Sequence, residues 1–187
     1  MKKLTIGCLG VLGIIVIAFT VILIVAGITG DDSTNNKTSE QSIEPIIDAS
    51  KFSRITSAEL VEIMGEPQGK EEIMWLVPST GKEVPAVYYT YDEGKFEFML
   101  IDDQITRLNV YSGQYFGYDD SVFEFDNENQ LFSMFNINPS DDLKKIGDTG
   151  YVLRYSPVSE KVGDFWVSEI EGNKFGVAKI TYNLNYY

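Results

Sequence analysis

The sequence predicts an α+β protein: an N-terminal transmembrane helix, then two tandem units, each a short helix followed by an antiparallel β-meander. Three observations predict it. Residues 4–30 carry no charge; a capped helix pattern at Thr56 recurs in role at Asn127; and each is followed by aromatic, alternating runs separated by turn residues.

The apolar stretch "VLGIIVIAFTVILIVAGI" at 11–28 lies inside the charge-free segment. About 20 residues at roughly 1.5 Å rise cross a hydrocarbon core of about 30 Å, so residues 4–30 suffice to anchor the chain in a lipid bilayer. Lys2 and Lys3 precede the segment, and Asp31 and Asp32 follow it. This asymmetry predicts a single-pass protein of the cell membrane, its N-terminus cytoplasmic and its C-terminal domain extracellular. "VAG" at 25–27 leaves a cleaved signal peptide as the alternative. Cys8 comes too early for a lipoprotein cysteine, and is read as a small apolar membrane residue or a palmitoylation site.

Residues 31–50 are expected to be a flexible polar linker, since "DDSTNNKTSEQSIE" at 31–44 is nearly free of apolar side chains. Asn36-Lys37-Thr38 within it is a glycosylation sequon.

The first α+β unit is assigned to 51–111. Thr56 is an N-cap, Glu59 completes a capping box, and Ile55 with Leu60 forms a hydrophobic staple. Leu60, Ile63 and Met64 share a face; Gly65 and Pro67 end the helix, which is placed at 57–64. Strands are expected at 73–77, 87–92, 95–101 and 104–111, with "DEG" and "DD" as turns. The second unit is assigned to 127–187. Asn127, Gln130, Leu131, Met134, Phe135 and Asn136 take the roles of Thr56, Glu59, Leu60, Ile63, Met64 and Gly65, and strands are expected at 150–156, 164–170 and 174–183.

"ELVEIMGEP", followed by aromatic hairpin strands and then repeated in role, resembles the helix-then-sheet unit of the β-lactamase-inhibitor-protein superfamily. That group includes the small outer-membrane-assembly lipoproteins and uncharacterised surface proteins of Gram-positive bacteria. The resemblance covers about residues 50–187 and implies a binding scaffold with no particular ligand. The chain departs from the lipoprotein members in lacking a usable lipobox, and from the secreted inhibitors in lacking disulfides.

Composition narrows the chemistry. The chain has no histidine and one cysteine, so the usual zinc and copper ligand sets and histidine-activated nucleophiles are absent. All 28 acidic residues lie beyond Gly30, against 15 basic ones of which two precede it, leaving the part after Gly30 near −15. Such a field repels nucleic acid. The pairs Asp102-Asp103, Asp119-Asp120 and Asp141-Asp142 fall at expected turns, where aspartate bonds its own backbone. Asp126–Gln130 lacks the glycine and distal glutamate of a calcium loop. No catalytic residue, metal or cofactor is assigned.

The candidate binding residues are aromatic. Residues 112–126 form an aromatic and acidic connection between the units, and Tyr111, Tyr115, Phe116 and Tyr118 are interleaved there with glycine and aspartate. Such loops suit partner surfaces and sugar rings, although the same rings also serve to pack the junction. Trp75, Tyr89 and Tyr91 pose the same choice, Tyr89 and Tyr91 sharing a strand face opposite to Tyr88. The expected function is a non-catalytic extracellular binding domain for a protein or peptide partner at the cell surface. A cell-wall or carbohydrate binder and a secreted inhibitor-like protein are the alternatives, and a carboxylate-dependent hydrolase is disfavoured.

Overall fold

The structure is a computed structural model, and it describes residues 44–113, 117 and 122–187. Helix α1 spans Ser57–Met64 and starts as its residues dictate: the Thr56 side chain accepts from the Glu59 amide, and the Glu59 carboxylate accepts from the Thr56 amide at 2.8 Å. Gly65, at φ 82°, turns the chain out of the helix in a conformation that favours glycine. Four strands follow: β1 (Gly69–Val77), β2 (Lys82–Tyr91), β3 (Phe96–Ile101) and β4 (Gln104–Tyr111). Then come β5 (Phe123–Glu124), helix α2 (Glu128–Ser133), β6 (Lys145–Asp148), β7 (Val152–Tyr155), β8 (Asp164–Ser168), β9 (Lys174–Phe175) and β10 (Val177–Thr181). Asn127 caps α2 by accepting from the Gln130 amide, and Asn136 takes a left-handed φ of 50° just past its end.

Eight strands form one sheet in the order β1-β2-β3-β4-β10-β8-β7-β6, every neighbouring pair antiparallel. Strands β5 and β9 make a separate two-stranded ribbon. The expected fold class is therefore corrected. The described chain is mostly antiparallel sheet, and the strands assigned to two units join through β4 and β10 into a single sheet. Only two α-helices lie wholly within the described residues, both short because Gly65 and Asn136 stop them. No helix among the described residues is long and apolar enough to cross a membrane, and the transmembrane assignment at 4–30 lies outside them.

The two halves share one core. Phe98, Leu108, Val110, Phe165, Val167, Ala178 and Ile180 project from one face of the sheet, and Leu60 of α1 with Leu131 and Phe132 of α2 close over it. Residues 44–50, read from sequence as the end of the linker, belong to this body: the Ile46 and Ala49 amides donate to the Met134 and Phe135 carbonyls, and Ala49 is fully buried. Tyr182 ties the same segment down by donating its hydroxyl to the Ala49 carbonyl at 2.8 Å. Its ring is buried, and burial pushes its pKa well up.

Candidate functional site: the open face of the sheet

Alternation places every second strand residue on the face away from the helices. Five of them fall in register across five strands: Glu97 opposite Asn109, Asn109 opposite Lys179, Lys179 opposite Trp166, and Trp166 opposite Arg154. A second row runs beside it through Tyr88, Met99, Arg107, Thr181 and Asp164. Glu97, Lys179, Trp166, Arg154, Tyr88 and Arg107 are all half-buried, in contrast to the sealed apolar core one residue away on β3, β4, β7, β8 and β10.

Hydrogen bonds and ring contacts order this surface. Asn109 donates through Nδ2 to the Glu97 carboxylate at 2.7 Å, and the Tyr111 hydroxyl donates to the same oxygen at 3.1 Å. Arg154 Nε donates to Asp164 at 2.8 Å, while its guanidinium lies 5.4 Å from the Trp166 ring centroid. The Lys179 ammonium lies 5.2 Å from that centroid. Burial, and next the Arg107 charge, hold the Lys179 pKa below the ordinary lysine value. Burial also raises the Asp164 pKa against the opposing pull of Arg154. The Tyr88 hydroxyl is pushed up to about 12, first by burial and then by Glu97.

Residues 184–187 cover one end of this face. The Trp75 indole donates to the Tyr186 carbonyl at 2.9 Å, and the Arg107 guanidinium sits 3.6 Å from the Tyr187 ring centroid. Tyr187 hydroxyl contacts Thr106 Oγ1 and Met99 Sδ, each at 3.2 Å.

The structure separates the residues that the sequence put forward. Tyr111 stands on the open face beside Glu97, and Trp75 stands on the same face under the 184–187 segment. Tyr89 packs half-buried against the core on the opposite face, with the Lys70 ammonium 5.8 Å from its ring. Tyr91 is a core residue: it is 4% exposed, its ring meets Phe98 edge-on at 5.7 Å, and its hydroxyl donates to the Gly65 carbonyl. It is in no position to meet a partner. Tyr115, Phe116 and Tyr118 lie outside the described residues. A cleft of about 540 Å³ near the connection is lined by Ser112, Val122, Glu169, Lys174 and Phe175, among others. Among the described residues, no cluster of three or more potential metal ligands is formed.

Sequence reasoning missed Asn109, Arg154, Trp166 and Lys179. Their signal was present, because Trp166 alternates with Phe165 and Val167, and Lys179 with Ala178 and Ile180. What was missing was which phase of each strand the helices cover.

Compared with protein-family models, with curated proteins and with solved structures, the chain matches none.

Proposed function

We propose that this chain is a non-catalytic binding domain that meets a protein or peptide partner at the cell surface through the open face of its sheet. The observation that carries the reading is the row Glu97, Asn109, Lys179, Trp166 and Arg154, half-buried except at Asn109 and five strands wide, on a sheet whose other face is closed by helices. Tyrosine, tryptophan and arginine are the residues that dominate binding hot spots, and Tyr88, Trp166 and Arg154 stand on this face, with Arg107 beneath the Tyr187 ring. Recognition rather than proton transfer suits its carboxylates, since Glu97 is held by Asn109 and Tyr111, and Asp164 by Arg154.

The test is selection from a random linear peptide library on the whole chain, followed by binding of the recovered peptides to the Tyr88→Ala/Trp166→Ala variant. Loss of binding by a variant that keeps its far-ultraviolet dichroism supports the open face. Undiminished binding by the folded variant overturns it. Location at the membrane with an exterior C-terminal domain is part of the proposal. It is checked by fractionating expressing cells and finding the mature N-terminus by mass spectrometry. A chain that starts near Ile28 and is found free outside favours the diffusible, inhibitor-like alternative.

A further inference from the structure

Donors and acceptors on the open face do not balance, and the imbalance specifies a ligand chemistry. Both carboxylates beside the row are engaged, Glu97 by Asn109 and Tyr111, Asp164 by Arg154. On this face Arg107, whose Nε donates to Thr181 Oγ1 at 3.3 Å, and Lys179 form no ion pair among the described residues, and the Glu97 and Glu169 charges act on Lys179 only from beyond ion-pair distance. Lys179 stands in register between Asn109 and Trp166. Both neighbours hold a buried polar atom with no hydrogen-bond partner among the described residues, the Asn109 Oδ1 and the Trp166 Nε1, and Asn109 as a whole is only 5% exposed. The orientation of the Asn109 amide follows from Glu97, whose carboxylate requires the Nδ2 as donor.

At the centre of the row the buried atoms without a partner among the described residues are thus the indole N–H of Trp166 and the Asn109 Oδ1, and between them the half-buried Lys179 ammonium brings further N–H donors and no ion pair. The deficit is in acceptors. A hydroxyl or a carboxamide brings donors with its acceptors and leaves that deficit in part, whereas a carboxylate brings two oxygens, no donor and the opposite charge. The Trp166 ring beside the ammonium offers an apolar surface for a short carbon stem. The net charge of −13 disfavours an acidic segment over the chain as a whole, so that such a segment gains only where a cation is locally free of an ion pair, as at Lys179.

We propose that the open face binds an acidic segment of its protein or peptide partner, seating an Asp or Glu carboxylate on the Lys179 ammonium with its carbon stem over the Trp166 ring. This rests on the open-face reading above. In the bound state Lys179 gives one N–H to the incoming carboxylate and has another for the Asn109 Oδ1 beside it, while Arg154, paired with Asp164, flanks Trp166 on the other side in the same row.

The experiment uses the whole chain and the peptides recovered from the random library. Each is resynthesised with its acidic residues changed singly to Gln or Asn, and titrated by following Trp fluorescence against wild type, Lys179→Gln and Lys179→Arg. Urea midpoints of the variants confirm that they are folded. The expected result is a recurrent acidic position whose neutral replacement weakens binding roughly tenfold, as loss of a charge-assisted hydrogen bond allows. Lys179→Gln should weaken the acidic peptide to the same extent, with little further effect on the neutral peptide, and Lys179→Arg should retain most of the affinity. Peptides that need Trp166 but tolerate every neutral replacement would overturn the acidic-partner proposal and leave the open face standing. Peptides indifferent to Trp166 and Tyr88 would overturn both.

Discussion

Phe165 and Trp166 are neighbours in β8 and point to opposite faces of one sheet. Phe165 is fully buried, its ring 5.4 Å from both Phe132 and Phe135. Trp166 is half-buried among cations, with an indole N–H that has no partner among the described residues. The same contrast separates Leu108 from Asn109 and Phe98 from Glu97. The strands alone do not create the difference, since both phases are rich in large side chains. What creates it is the cover: α1, α2 and residues 46–52 close one face with apolar groups, while on the other, among the described residues, 184–187 pack down at one end over Met99 and Trp75. One face maximises apolar burial; the other retains polar groups at a cost in stability, which is the pattern expected where a surface serves recognition.

That contrast is open to attack by mutation. The largest effect belongs to the closed face: Phe165→Ala should lower stability by about 3–5 kcal/mol, read as the shift of a urea transition. Loss of less than about 1 kcal/mol would mean that this core is loosely packed. Tyr182→Phe removes the buried hydrogen bond to Ala49 and should cost about 1 kcal/mol, as a probe of how firmly residues 46–52 close that face. Thr56→Ala breaks the capping box and should also cost about 1 kcal/mol, or somewhat less because the cap is exposed.

Acid sensitivity gives a smaller signal. The hydrogen bond from Lys145, and next that from Tyr155, hold the Glu128 carboxyl below the usual glutamate value. A carboxyl with a depressed folded-state pKa contributes stability above its unfolded pKa, and that contribution is lost as pH falls through the folded value. Glu128→Gln should therefore be less stable than wild type at neutral pH, with the gap closing in acid, measured by urea midpoints across the carboxylate range. The smallest effect belongs to the open face: Lys179→Met should change stability by no more than about 0.5 kcal/mol in either direction, since the half-buried ammonium forms no ion pair among the described residues and feels Glu97 and Glu169 only at longer range.

Much of the local structure was legible. Thr56, Glu59 and Gly65 fixed both ends of α1, because capping is decided by residues within a few positions of each other. Asn127 and Asn136 marked α2 for the same reason. Strand β6 was not foreseen: "KIGD" holds one apolar residue and a glycine, and its pairing with β7 shifts register between Lys145 and Gly147. The run 174–183 was read as one strand, whereas it divides at Gly176 into β9, which pairs with β5, and β10, which pairs with β4 and β8. The joining of β4 to β10 pairs residues as distant in sequence as Arg107 and Thr181, and no local pattern encodes a pairing at that separation. The candidate site was less legible than the fold. Tyr89 and Tyr91 were correctly placed on one face and Tyr88 on the other, but alternation is symmetric between faces until a helix covers one. Tyr91 consequently went to the core, and Trp166 and Lys179 emerged only from the cross-strand register.

The central claim, that the two faces divide stability from recognition, is tested most directly by comparing Phe165→Ala with Trp166→Ala in paired urea-unfolding and peptide-binding measurements on the whole chain. The account predicts that Trp166→Ala shifts the unfolding midpoint far less than Phe165→Ala does, yet weakens binding about tenfold or more, as loss of an interface anchor does. A folded Trp166→Ala chain that binds as well as wild type would contradict it.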